Sequence, residues 1–147
     1  MVAGDASAPT TQDDPVTSVG AVHHLELWVP DLAQAQASIG WLLGELGYRV
    51  QDTWPGGCSW VLGDTYVVLE SGTDLRGDEH DRCRPGLNHL AFHAGAPGDV
   101  DDLARRALEH GWSPLFADRY PHAGGPEHHA AYLENAAGFE VELVASA

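Results

Sequence analysis

The chain carries one pattern twice, and that duplication constrains its fold more than any other feature. Ala21-Val22-His23-His24-Leu25-Glu26-Leu27-Trp28-Val29-Pro30 opens one half, and Gly86-Leu87-Asn88-His89-Leu90-Ala91-Phe92-His93-Ala94-Gly95 opens the other. Both runs are β-rich, carry histidine near the start and lead into a helical pattern. A third run, Gly138-Phe139-Glu140-Val141-Glu142-Leu143-Val144, closes the chain with carboxylates on alternate positions. Two histidines and a carboxylate on three such strands make a divalent metal site, which favours a metalloenzyme over a plain binding domain.

The segments between these runs give the element order. Leu25, Leu27 and Val29 alternate with His24, Glu26 and Trp28, as in a half-buried strand. Asp31 is placed to cap a helix whose apolar residues, Leu32, Ala35, Ile39, Leu42, Leu43 and Leu46, run at helical spacing up to Gly47. Strands are predicted over 48–53, 59–62 and 65–71, with turns at Gly56-Gly57 and Gly63-Asp64. Module one (20–72) therefore reads β-α-β-β-β, followed by a polar connection (73–86). Module two (87–145) repeats the order: a strand over 87–94, a helix from Asp99 or Asp101 to about His110, then strands near 113–118, 129–134 and 139–144. Asn135 to Gly138 is a hairpin turn, and residues 1–19 read as a disordered tail.

The formal net charge of -15 argues against nucleic acid and membrane partners, which demand basic patches. It also disfavours highly phosphorylated ligands unless a metal or a local Arg neutralises them. Cys58 and Cys83 have no metal-site spacing. No segment approaches the roughly 20 apolar residues that span a bilayer, and no signal peptide is visible. A cytoplasmic protein with a small-molecule ligand is the expectation.

The segments His24-Leu25-Glu26-Leu27-Trp28-Val29-Pro30-Asp31, Asn88-His89-Leu90-Ala91-Phe92 and Tyr132 to Leu143, in that order within a βαβββ duplication, resemble the vicinal oxygen chelate superfamily. That group includes glyoxalase I, extradiol dioxygenases, fosfomycin-resistance enzymes and bleomycin-binding proteins. The likeness covers about residues 21–145. It implies an α+β fold, two tandem βαβββ modules whose curled mixed sheets form a cup around a metal or ligand site, and a homodimer. It also implies metal ligands at His24, His89 and Glu142 in preference to His23 and Glu140. Side-chain alternation agrees, since those three fall opposite the aliphatic residues. His23 falls on the aliphatic face, as a neutral hydrogen-bonded imidazole. Aligning Tyr66-Val67-Val68-Leu69 with Phe139-Glu140-Val141-Glu142 puts Leu69 opposite Glu142. Glu70 is then one position off and would need a β-bulge to become a fourth ligand.

The resemblance implies a divalent ion (Fe, Mn, Ni or Zn) binding adjacent oxygens of a substrate, for isomerase/lyase or ring-opening dioxygenase chemistry. Glu142, His93 and Glu140 are the candidate catalytic groups; His93 and Glu140 are candidate general bases or partners of a ligand. Glu26, Trp28 and Ala91 share the ligand face and are candidate pocket residues. Arg119, Tyr120 and His122 are candidate pocket residues as well, with Arg119 and Tyr120 at the hinge of a Gly/Pro-rich loop (120–129) that holds His122, His128 and His129. That loop is either a lid or a polar hairpin. His128-His129 is a poor metal pair, because neighbours on a strand point apart. The alternative function is non-catalytic binding or sequestration of an aromatic or natural-product ligand.

Overall fold

The computed structural model describes residues 18–146. The tail expected over 1–19 lies, up to residue 17, outside the described residues. Two four-stranded mixed sheets account for the duplication. The first holds β1 (His24–Trp28), β2 (Arg49–Trp54), β3 (Gly57–Leu62) and β4 (Thr65–Glu70) in the order β1-β4-β3-β2. The second holds β5 (His89–His93), β6 (Trp112–Leu115), β7 (Ala130–Asn135) and β8 (Glu140–Val144) in the order β5-β8-β7-β6. In each module the first strand runs parallel to the last, and the other pairings are antiparallel. The fold is α+β, as expected.

The helix of module one starts at Asp31, whose carboxylate accepts the Gln34 N–H at 3.0 Å. It runs as α1 (Leu32–Ala35), a π-helical turn (Gln36–Gly40) and α2 (Trp41–Glu45). The π turn serves packing between modules. Ser38 accepts the Trp112 indole N–H on its carbonyl at 3.2 Å, and the Asn135 amide lies 3.2 Å from its hydroxyl. Gly40 is required here, because a Cβ would come 2.7 Å from the Trp60 ring. Leu27, Ile39, Leu42, Leu69, Val100, Leu133 and Leu143 belong to one buried apolar cluster spanning both modules. Burial of that cluster, at about 25 cal/mol per Å², is the dominant force holding the halves together.

Helix α3 (Pro97–Ala107) starts earlier than the sequence suggested. Asp99 is not its cap but lies inside the first turn, reaching back to accept the Ala96 N–H at 2.9 Å. Asp101 lies deeper still. Gly111, at φ 83, ends the helical region as expected. The strand expected to reach 118 stops at Leu115, because Phe116 turns the chain at φ 55 into a short 3-10 turn (Ala117–Arg119). The connection between modules packs across the end of the β7–β8 hairpin: the His80 N–H donates to Ala137 O and its ring stacks on Phe139.

Register corrects the comparison of the halves. His24 pairs with Tyr66 and His89 with Glu140, so the module-one counterpart of Glu142 is Val68, not Leu69. Leu69 corresponds to Leu143, and both are wholly buried in the core. Glu70 pairs with Trp28 and therefore already lies on the face of His24 and Glu26, with no bulge required. Its position in module two is filled by Val144.

Candidate functional site

The expected ligand face of the second sheet gathers a polar cluster around Glu142. This carboxylate is buried at 6% relative exposure, and both of its oxygens are engaged. His89 Nε2 lies 3.2 Å from Oε2. His128 Nε2 lies 2.5 Å from Oε1, and the Tyr132 hydroxyl donates to the same oxygen at 2.7 Å. The backbone explains the convergence. β5 and β8 are neighbours with Ala91 paired to Glu142, so His89 stands one same-face step away. Tyr132 is directly across β7, and the loop before β7 delivers His128. Asn88 Oδ1 stands 2.7 Å from His89 Nδ1, a contact that orients the ring and leaves Nε2 toward Glu142.

Burial alone would raise the Glu142 pKa. Hydrogen bonds from His128 and Tyr132, with the charges of His128 and His89, outweigh it and hold the carboxyl below its ordinary value. Tyr132 moves the other way, up to about 12. Burial raises it first, then the hydrogen bond to Glu142 and the charges of Glu142 and Glu140, while Arg119 opposes them.

The other expected site residues are dispersed. Glu140, paired with His89 in register, is buried and held by Arg82, whose Nη1 is 3.0 Å from Oε2. His93 is exposed near the end of β5 and lines a polar cavity with Glu45, Asp99 and Arg106. Ala91 is exposed beside Glu142. On the first sheet, His24 is exposed, stacks on Tyr66 with centroids 4.7 Å apart, and has its Nδ1 2.8 Å from His23 Nδ1. His23 is thus hydrogen-bonded as expected, but exposed instead of packed with the aliphatic residues, because it precedes β1. Trp28, 44% exposed, donates its indole N–H to Glu26 at 2.8 Å.

The His-rich loop is fastened to α3. Tyr120 donates its hydroxyl to Asp101, and His129 Nε2 lies 2.9 Å from the same carboxylate. These bonds hold the Asp101 carboxyl below its usual range, and burial together with the Asp101 contact raises Tyr120. His122 Nδ1 lies 3.3 Å from the His128 carbonyl. His128 and His129 do point apart, one to Glu142 and the other to Asp101.

Three residues that hold these carboxylates have no role there in the sequence reading: His128 and Tyr132 on Glu142, and Arg82 on Glu140. Counting outward from an Asn135–Gly138 turn would put Tyr132 opposite Val141; it faces Glu142 because the hairpin closes one residue later, on Asn135 and Phe139. Arg82 reaches Glu140 through the irregular connection, where no periodicity operates.

His89 Nε2 and Glu142 Oε2 suit a divalent ion. Two donors each about 2.1 Å from one metal are separated by roughly 3 Å when they occupy adjacent coordination positions, and the observed separation is 3.2 Å. Among the described residues, no three His, Cys, Asp or Glu side chains form a group able to hold an ion, so His24 does not complete the set within one chain.

Comparison with known proteins agrees with the fold. The family model described as Glyoxalase/Bleomycin resistance protein/Dioxygenase superfamily matches residues 23–132. The chain is 41% identical over 125 residues to the uncharacterized protein YqjT of Bacillus subtilis, covering 84% of this chain and 98% of that one. It is 42% identical to a proposed glyoxalase of known structure from Bacillus halodurans, with a TM-score of 0.82 over 87% of this chain and 97% of that one. A lactoylglutathione lyase structure from Agrobacterium tumefaciens shares the fold at 19% identity and a TM-score of 0.59, covering 90% of this chain and 96% of that chain.

Proposed function

The chain belongs to the glyoxalase/bleomycin resistance protein/dioxygenase superfamily, and we propose on that basis that it is a metal-dependent enzyme acting on a small molecule with vicinal oxygens. The observation that carries this reading is the pairing of His89 and Glu142 at 3.2 Å on adjacent strands. These two residues would hold a divalent ion, of Fe, Mn, Ni or Zn, as half of a ligand set. His24 has the same register position in module one that His89 has in module two, and its ring lies on an exposed face. We infer that it completes the set from a second copy of the chain, in a homodimer.

The ion, when bound, supplies an electrophile for substrate oxygens, for isomerase/lyase or ring-opening dioxygenase chemistry. The chain's own residues prepare the site. Tyr132 and His128 keep Glu142 ionised and fixed in orientation. Asn88 selects the His89 tautomer that presents Nε2. Tyr132, with its raised pKa, remains a neutral hydrogen-bond donor across the physiological range.

A second reading, ligand sequestration without catalysis, draws on the incomplete ligand group within one chain and the exposed Trp28. Elemental analysis separates the two. The enzyme reading expects about one divalent ion per chain, lost in His24→Ala, His89→Ala and Glu142→Ala. Mixing the His24→Ala and His89→Ala proteins restores one intact site per mixed dimer. No metal in wild-type protein, even after anaerobic reconstitution with Fe, Mn, Ni and Zn, overturns it and leaves sequestration.

A further inference from the structure

Beside the Glu142 cluster stands a cation that the reading above does not use. The Arg119 guanidinium lies over the Phe116 ring, 4.8 Å from its centroid. Phe116 meets Tyr132 edge to face at 5.5 Å, and Tyr132 donates to Glu142. Arg119 is near enough for its charge to act on the Tyr132 hydroxyl. The chain has 22 acidic and 7 basic residues, so an arginine has many carboxylates to pair with. Arg82, Arg84, Arg105 and Arg106 do so, with Glu140, Asp81, Asp102 and Glu45 among their partners. No carboxylate lies within ion-pair distance of Arg119 among the described residues, and its side chain is exposed.

The backbone is specialised to keep it there. Phe116 has φ 55, a left-handed conformation rare for a residue with a Cβ. That conformation begins the 3-10 turn from which Arg119 projects, and the turn is closed by the Arg119 N–H donating to Phe116 O at 2.9 Å. Arg82 lies on the same ring, 5.8 Å from its centroid, but its charge is matched by Glu140. A guanidinium stacked on an aromatic ring keeps its N–H edge available for two parallel hydrogen bonds to a planar acid.

We propose that Arg119, supported by Phe116, is an anion-recognition residue, and that the substrate of the neighbouring site carries a carboxylate or phosphonate group. The substrate assignment rests on the proposed enzyme reading, whereas the anion site itself requires no metal. A local cation of this kind also gives an acidic protein a place to hold an anionic ligand, beside a carboxylate whose two oxygens already have partners.

The test uses the full chain stripped of metal, titrated calorimetrically at constant ionic strength with benzoate and, separately, phenylphosphonate. Wild type is expected to bind at least one probe saturably, and which of them binds identifies the acid. Arg119→Ala and Arg119→Gln, the latter keeping a planar group on Phe116 without the charge, are expected to weaken binding at least tenfold. Arg49→Ala, changing an exposed arginine on β2, is expected to bind as wild type. Absence of saturable binding by wild type, or undiminished binding by Arg119→Gln, overturns the proposal. Because the protein is metal-free, a failed metal assay and a failed anion titration are separate results.

Discussion

His128 Nε2 and the Tyr132 hydroxyl share one oxygen of Glu142, at 2.5 and 2.7 Å, while His89 faces the other. Removing one donor leaves that oxygen a partner; removing both leaves it bare in a buried setting. His128→Ala and Tyr132→Phe should therefore each cost about 1 kcal/mol, the half-exposed histidine at the lower end. The double variant should lose about 1 kcal/mol more than the sum, since the unsatisfied acceptor appears only there. Urea denaturation of the four proteins measures the coupling.

The same contact makes Tyr132 a reporter of the Glu142 charge. Its folded pKa is raised to about 12, against an unfolded value near 10, so the folded state favours the neutral phenol. The resulting stabilisation is fully present below about pH 10 and is lost as pH rises through about 12. Ultraviolet titration of phenolate formation should show one fewer high-pH tyrosine in Tyr132→Phe. In Glu142→Gln the Tyr132 transition should move down, because the anionic acceptor has gone.

The duplication was legible because strand alternation and helix capping are local. Leu27 and His24 separate by face, and Asp31 takes its cap as its spacing suggests. That Glu140 and Glu142 share one face of β8, opposite Val141 and Leu143, was legible for the same reason. Register between distant strands was not, since the parallel pairing of β1 with β4 depends on how the whole module packs. That dependence explains the one-residue error that put Leu69, in place of Val68, opposite Glu142. Long-range contacts from irregular segments, Arg82 to Glu140 and His128 to Glu142, leave no periodic trace.

That register is open to a mutational test. Leu69 is wholly buried within the core, and Val68 is on the opposite face at 8% exposure. Leu69→Glu should cost about 4 kcal/mol or more, by placing a carboxylate among aliphatic side chains. Val68→Glu places its carboxylate on the His24 side, largely buried and beside Glu26, and should cost about 2–3 kcal/mol, less than Leu69→Glu. Equal destabilisation of the two in chemical denaturation would contradict the pairing of Val68 with Glu26.

Whether the His-rich loop behaves as a lid depends on Asp101, which holds both Tyr120 and His129. Hydrogen bonds from Tyr120 and then His129 depress its folded pKa, so the ionised form fastens the loop. The sign follows: this tie is present above the unfolded carboxyl value of about 3.9 and is lost as pH falls through the lower folded value. At neutral pH, Asp101→Asn removes the charge and should raise hydrogen exchange in residues 120–129 by about two- to fivefold, the scale of an exposed charged contact. Exchange in β8 should hardly change, because its pairing with β5 and β7 does not pass through Asp101. Uniformly accelerated exchange across both regions would mean that the loop and the sheet open together, and the loop would then be part of the scaffold and not a lid.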